Sequence, residues 1–553
     1  MQKNMLGLFV LIYFAMFCTC NGNENYEESL KLDMIDPELV YGFFNFTTTW
    51  NYEHWFAPRH YKLFPRSLGQ LIQKYNIAEL HFTMTQGLWR YKRWGFPDAS
   101  SPTGAQLWVW FHKNTEDVDK NWVGFTNALS GLFCASLNFI NKAVTVTPKI
   151  SFRPVGVVEG GETDNTFLRY GTLSRENLCT ENLTPWMKLL PCGSKAGPGA
   201  LLNPSQLHHS KFLSIGLHFL HDCSEGGSCE RRHVKLEQHI SVVYDLRTLN
   251  LMPNFSLLSL FKKRVKPACP LSSRSVLMVR VIEGATISPA LTESVGGFSV
   301  LNLHRLKSDS NVQVKGLKTP GVTTKLNHGV TNHCYLTGIG LEGGFVCSIV
   351  NHNNREIPII FFQVVPWFLH TQVHTLKVVS RQNDIISPAW ISYTPGKIRE
   401  SPNIMELIVR LPSDSITELS FHFTKGFMTW IEHPPDANHG FYISPAVITT
   451  KTNDLNISKE LHGSVQHIYS EAILVNIPVP DFSMPYNVIC LVCTVLAISF
   501  GSFHNLATRR FHKLSPNEVS PVKKKFLSLI ERFKSRKKKN VDESLASTAE
   551  KSS

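Results

Sequence analysis

The segment YNVICLVCTVLAISFGSFHNLAT, residues 486–508, holds no Asp, Glu, Lys or Arg, and Arg509-Arg510 follow at once. Val488 to Leu506 is 19 residues. At 1.5 Å per residue such a helix is about 28 Å long, close to the thickness of a bilayer's hydrocarbon core. A Lys or Arg at its centre would cost about 2.5–3.5 kcal/mol to insert, so the uncharged run reads as a membrane span. A buried core helix would not have basic residues crowding one flank alone. The transmembrane helix is placed at 486–507.

The N-terminus agrees. Lys3 precedes the apolar run Met5 to Phe17, followed by Cys18-Thr19-Cys20-Asn21-Gly22 and a polar, acidic stretch. This is the layout of a cleaved signal peptide, residues 1–22, too short to span a membrane. Residues 509–553 contain 13 Lys and Arg against five Asp and Glu, so eight of the chain's 13 net positive charges lie in this tail. The positive-inside rule puts the tail, 508–553, in the cytosol and the bulk of the chain in the lumen, as a single-pass type I protein. A sequence pI near 9.1 therefore does not point to nucleic acid. Val522, Phe526, Leu529, Ile530 and Phe533 recur at helical spacing among Lys523–Lys525 and Arg532, the pattern of a basic helix on an anionic leaflet.

About 460 lumenal residues exceed what one core usually supports. We expect an α+β, mainly β fold: tandem β-sandwich-like subdomains with a few helices, divided into 23–235 and 236–481. Ser67–Tyr75 reads as a short helix. Leu80, Phe82 and Met84 alternate, as do Leu107, Val109 and Phe111, and read as strands. Apolar residues at 118, 122, 125, 129, 132, 133, 137 and 140 mark one face of a long helix opened by Asp117 and Asp119. Further on, His233–Leu246, Met405–Leu411 and Leu419–Phe423 alternate as strands, and Ser308–Asn332 reads as a loop.

Eight cysteines fall in the lumenal part: Cys134, Cys179, Cys192, Cys223, Cys229, Cys269, Cys334 and Cys347. In an oxidising compartment the expected fate of most is a disulfide. Cys223 with Cys229, and Cys334 with Cys347, bracket short glycine-bearing turns and read as local bridges. A Cys179–Cys192 bridge across a short loop is the plain reading of that pair. Sequons stand at Asn45, Asn182, Asn254 and Asn456. There is no G-x-S-x-G, H-E-x-x-H or phosphate loop, and no C-x-x-C with metal-ligand partners outside the span. No catalytic residue, metal or cofactor is expected. On these residues alone a type I cell-surface adhesion or receptor protein with a β-sandwich ectodomain is an alternative.

Six stretches decide between readings: YKLFPRSLGQLIQKYNIAELHFTMTQGLWR (61–90), GAQLWVWF (104–111), NALSGLFCASLNFI (127–140), CTENLTPWMKLLPCGSKAG (179–197), NHGFYISPAVI (438–448) and PDFSMPYNVICLVCTVLAISFGSF (480–503). Together they resemble the PIG-T family, a β-rich subunit of the glycosylphosphatidylinositol (GPI) transamidase. The likeness covers nearly the whole chain and departs from the family around 290–350, where Cys334 and Cys347 look like additions, and in the basic tail. It implies a non-catalytic scaffold in the endoplasmic reticulum membrane. The complex replaces a precursor's C-terminal signal with a preassembled GPI lipid, and the nucleophile belongs to a caspase-like partner of the PIG-K type. PIG-T holds that protease and the other membrane subunits together.

The resemblance also implies that Cys179, first residue of C-T-E-N-L-T-P-W, is disulfide-bonded to the protease subunit. Trp186 then reads as an aromatic anchor of the kind enriched at interfaces. With Cys179 bonded outside the chain, one lumenal cysteine is left unpaired, assigned to Cys134, and Cys192 is paired with Cys269. The second candidate is juxtamembrane. Asp481 suits an amine, Ser483 and Asn487 suit sugar or phosphate, and Tyr486 suits the interface belt at the depth of a GPI headgroup. Pro485 reads as the residue that starts the helix, and a helix cap is the plain alternative. Asn438, His439, Gly440 and Tyr442 are a weaker candidate, well explained by a tight turn.

Overall fold

The computed structural model describes residues 24–36, 38–52, 61–158, 165–223, 232–252, 254–281, 285–289, 293–316, 329–381, 384–434, 436–451, 465–481, 483–510, 521–532 and 534. The chain divides into two compact units, one ending at Val479 and one beginning at Pro480. The first is strand-rich, with few helices.

Its backbone is an 11-stranded sheet. In spatial order the strands are Glu293–Val295, Phe298–Asn302, Arg274–Arg280, Glu24–Asp36, Leu39–Tyr52, Arg232–Asp245, Phe212–Cys223, Ile77–Gln86, Gly104–Phe111, Leu168–Leu173 and Thr145–Val146. Glu24–Asp36 pairs parallel with Arg274–Arg280, and the other described ladders of this sheet are antiparallel. The expected boundary at 235/236 is corrected by this topology. It falls inside Arg232–Asp245, a central strand, and residues up to Asn302 complete the same sheet.

The alternations read as strands put Leu80, Phe82 and Met84 with Leu107, Val109 and Phe111 on one buried face. Helices cover that face. Arg66–Lys74 contributes Leu68 and Ile72, and Val118–Phe133 contributes Trp122, Phe125, Leu129 and Phe133. Asp117 caps the latter helix by accepting from the Lys120 N–H at 2.9 Å. The helix stops at Cys134, which adopts a left-handed conformation (φ 52°), so it is shorter than the apolar pattern to Ile140 suggests. Leu137 and Ile140 are still buried, through a 3₁₀ turn at Leu137–Phe139. Periodicity reported burial there, not helix.

From Val330 a four-stranded and a five-stranded sheet face one another around Phe345, Cys347, Phe361, Leu407, Val409 and Phe421. The outer face of the five-stranded sheet packs Phe362, Val364, Val447 and Tyr469 against Trp108, Trp110, Phe152 and Tyr170 of the large sheet's side. The sandwich thus covers part of the large sheet's second face.

His467 lies in that seam, its Nδ1 2.9 Å from the Thr449 hydroxyl and its ring 5.1 Å from Phe152. Burial first, and then His81, lowers its pKa from 6.5 to about 4. Between these values the unfolded chain takes up a proton that the folded chain refuses, so stability falls as pH drops through 6.5 toward 4. From pH 7 to 5 the loss from this group is on the order of 2 kcal/mol. His467→Gln is expected to show a shallower decline of unfolding midpoint over that interval than the parent chain.

The second unit contains the helix Ser483–Thr508, of which Tyr486–Thr508 is apolar and long enough to cross a membrane. The helix begins before Pro485, not at it. A proline costs nothing in the first turn because the first four N–H groups have no intrahelical acceptor. Residues 521–532 are helical, as the spacing of Val522, Phe526, Leu529 and Ile530 suggested, and exposed.

Candidate functional site

Cys179 stands at the N-cap of the helix Thr180–Lys188 with extended backbone (φ −121°, ψ 173°), half-buried and outside any disulfide. Three residues on, Asn182 turns its carboxamide back toward it. The Asn182 Oδ1 accepts from the Cys179 backbone N–H at 2.8 Å and from the thiol Sγ at 2.9 Å. The Nδ2 donates to the carbonyls of Phe133 (2.9 Å) and Cys134 (3.0 Å). One amide therefore ties the start of this helix to the end of Val118–Phe133 and fixes the thiol's direction. Cys134, the other free cysteine of the first unit's described residues, is exposed beside it.

Two expectations change here, and one alternative falls away. Asn182 is 1% exposed with both amide hydrogens committed, so in this fold its sequon offers no nitrogen to a glycan. Trp186 is fully buried, donates its indole N–H to the Gly216 carbonyl at 3.2 Å and meets Phe46 at 6.3 Å between ring centres. It anchors the helix to the sheet and presents nothing to a partner. Glu181, Thr184 and Lys188 are exposed in its place. Finally, Cys192 bonds to Cys269 (Cα–Cα 6.0 Å), which leaves the alternative Cys179–Cys192 bridge unformed.

Asn182→Ala would leave two carbonyls and one N–H without their buried partner, a loss of about 2 kcal/mol. We expect that loss in denaturant unfolding, and no change in the electrophoretic shift on deglycosylation.

Cys334 pairs with Cys347 across adjacent strands at 4.0 Å between Cα atoms. Of the expected Cys223–Cys229 pair, Cys223 ends a strand with only its backbone described, and Cys229 and the Asn456 sequon lie outside the described residues. Asn254 is exposed, its Oδ1 accepting from the Gly316 N–H at 3.0 Å. Asn45 is half-buried in mid-strand, opposite Ser29 and His239. Asn438–Gly440 forms the tight turn: Gly440 has φ 82°, and a Cβ there would run into the Val475 carbonyl at 2.6 Å.

The juxtamembrane residues belong to the second unit. Asp481 is exposed, and Tyr486 and Asn487 are exposed in the first turns of the helix; of Ser483 only the backbone is described.

Two buried polar clusters gave no signal in the sequence. Glu406, 1% exposed, accepts consecutive backbone N–H groups from Lys149 (2.7 Å), Ile150 (3.2 Å) and Ser151 (3.0 Å), joining the sandwich to the large sheet's loop. His81 stacks on Trp108 at 3.7 Å, with its Nδ1 2.8 Å from the His218 Nδ1 and its Nε2 2.7 Å from Glu79. Glu79 in turn accepts the N–H groups of Val155 and Gly156. Among the described residues, no group of three or more His, Cys, Asp or Glu is arranged to hold a metal ion.

Residues 10–253 and 248–534 match the family described as Gpi16 subunit, GPI transamidase component. The chain belongs to the Gpi16 family. It is 38% identical to the mouse GPI-anchor transamidase component PIGT, over 95% of this chain and 97% of that protein. The human protein of the same name is 37% identical over 95% and 98%. The GPI transamidase component GPI16 of Saccharomyces cerevisiae is 30% identical over 88% of each chain. Membership of this Gpi16 chain in a GPI transamidase complex, and hence the presence of companion subunits, follows from those matches.

Proposed function

We propose that this Gpi16-family chain is the non-catalytic scaffold of the GPI transamidase. It resides in the endoplasmic reticulum membrane as a single-pass type I protein, with the sheets in the lumen. Cys179 forms a disulfide with a caspase-like catalytic subunit of the PIG-K type, and the chain steadies that subunit among the other membrane subunits. Asp481, Ser483, Tyr486 and Asn487 help to place the GPI lipid for transfer to the precursor.

The observation that carries this reading is the setting of Cys179. It is a half-buried thiol on a helix end clamped to the core, outside any disulfide, while its near neighbour Cys192 is bonded to Cys269. A covalent link there raises the partner's effective concentration so far that the remaining interface need supply little affinity. A rigid helix start also aims the sulfur without the entropic cost of ordering a loop.

Full-length chain purified without companions is expected to show no exchange of a peptide tail for a glycolipid. Turnover by the isolated chain would refute the reading. For the juxtamembrane set, Asn487→Ala is expected to impair anchor attachment several-fold while the assembled complex still co-purifies. Loss of assembly would make Asn487 a structural cap and not a lipid contact.

A further inference from the structure

The sandwich has two ends, and the chain leaves it at one of them. The turns 338–341, 366–368, 395–402 and 426–433 share that end, because Glu342 pairs with Thr424, Leu369 with Lys425 and Val365 with Asn403. Contacts bind the turns together. The Lys425 N–H donates to the Leu341 carbonyl at 2.8 Å, and the Gly426 N–H to the Phe368 carbonyl at 2.7 Å. The Phe368 ring lies 5.0 Å from Phe441. Phe441–Ile443 pairs with Ile473–Val475, the last strand before the chain runs on to the apolar helix.

This end is tipped with apolar side chains. Ile339 is 98% exposed, Phe427 and Ile431 74%, Ile398 65%, Trp430 54% and Leu341 48%. At the opposite end, turns 352–356, 381–389 and 412–415 expose one large hydrophobe among the described residues, Ile385. Two ion pairs lie beside the tips. Arg399 bonds Glu432 and lies 5.7 Å over the Trp367 ring, Glu432 also accepts from the Thr429 N–H and hydroxyl at 2.8 and 2.7 Å, and Lys397 approaches Glu400 at 4.0 Å. The arginine first of all holds Glu432 down to about 2, so the clasp stays ionised and closed at neutral pH.

An apolar cluster of this extent marks an interaction surface. Two observations favour lipid as the occupant. Tryptophan, phenylalanine and isoleucine on fixed turns, with Arg399 and Glu432 paired beside them, match side chains that partition into the headgroup–acyl boundary. And only seven residues, 476–482, separate Val475 from the helix at Ser483, a link of at most about 28 Å fully extended. We propose that this end of the sandwich rests on the bilayer surface, with Ile339, Phe427, Trp430 and Ile431 in the lipid interface, as an attachment additional to the apolar helix. The proposal depends on residues 486–508 spanning a bilayer and not on the Cys179 bond.

The test uses full-length chain alone in phosphatidylcholine nanodiscs, with or without bromine on the acyl chains near the headgroups. The span contains no tryptophan, and Trp430 is one of 11 in the chain. Brominated lipid is expected to lower total tryptophan emission by on the order of one part in eleven. In a Trp367→Phe background, which removes the half-buried tryptophan of the same end, Trp430→Phe should abolish that decrement, and the paired substitution Phe427→Asp with Ile431→Asp should reduce it at least two-fold. Equal emission in both discs, or a decrement that survives Trp430→Phe in that background, overturns the proposal and leaves this end to water or to a companion subunit. Because no companion is present, the outcome is independent of the Cys179 reading.

Discussion

Replacing Cys179 with serine is expected to remove, on a non-reducing gel, the band in which this chain migrates covalently joined to a caspase-like subunit. Reduction of the parent complex should give the same two separate bands. The effect is expected to be large because, among the described cysteines, Cys192 is bonded to Cys269 and Cys334 to Cys347, which takes these four out of competition. Cys134 is free and close in the fold, yet it leaves the helix end at a left-handed residue. Cys134→Ser is therefore the matching control, with the joined band retained. Serine also preserves the N-cap geometry, since its hydroxyl can donate to the Asn182 Oδ1 that now receives the thiol. The fold should survive the substitution, so that loss of the band reports chemistry and not unfolding.

The second large effect is expected at Glu406. Its carboxylate gathers three successive N–H groups from the loop at 149–151, a concave array of donors suited to an anion. Glu406→Ala would leave these donors without an acceptor where water has little access, a loss of about 3 kcal/mol or more. Because the carboxylate comes from the sandwich and the donors from the large sheet's side, the same substitution should loosen the contact between the two layers. Limited proteolysis should then cut within 147–158 faster than in the parent. Glu406→Gln keeps one acceptor and is expected to fall between the two.

Much of this architecture was legible in the residues. The uncharged run beside Arg509-Arg510 placed the apolar C-terminal helix, and alternation at Leu80–Met84 and Met405–Leu411, with the apolar run Leu107–Phe111, placed strands of both layers. The 11-stranded sheet was not legible as one body. Its parallel ladder joins Glu24–Asp36 to Arg274–Arg280, with Asp33 and Arg280 paired over a separation of 247 residues, and no local pattern announces such a partner. The strand Arg232–Asp245 was legible as a strand, but its place at the centre of the large sheet, between Leu39–Tyr52 and Phe212–Cys223, was not.

At the candidate site the cysteine was legible and its supports were not. A tryptophan anchors cores and interfaces with the same chemistry, and only burial shows that Trp186 belongs to the core. Asn182 carried a sequon, which drew attention to glycan chemistry. The spacing of Cys179 and Asn182, cap residue and third helical residue, was the signal that it serves as a clamp.

The most direct measurement is mass spectrometry of the intact complex, alkylated and digested without reduction. The account predicts one joined peptide pair in which the segment holding Cys179 is linked through sulfur to a segment of the caspase-like subunit. Recovery of Cys179 as an alkylated free thiol, or linked to a cysteine of its own chain, would contradict it.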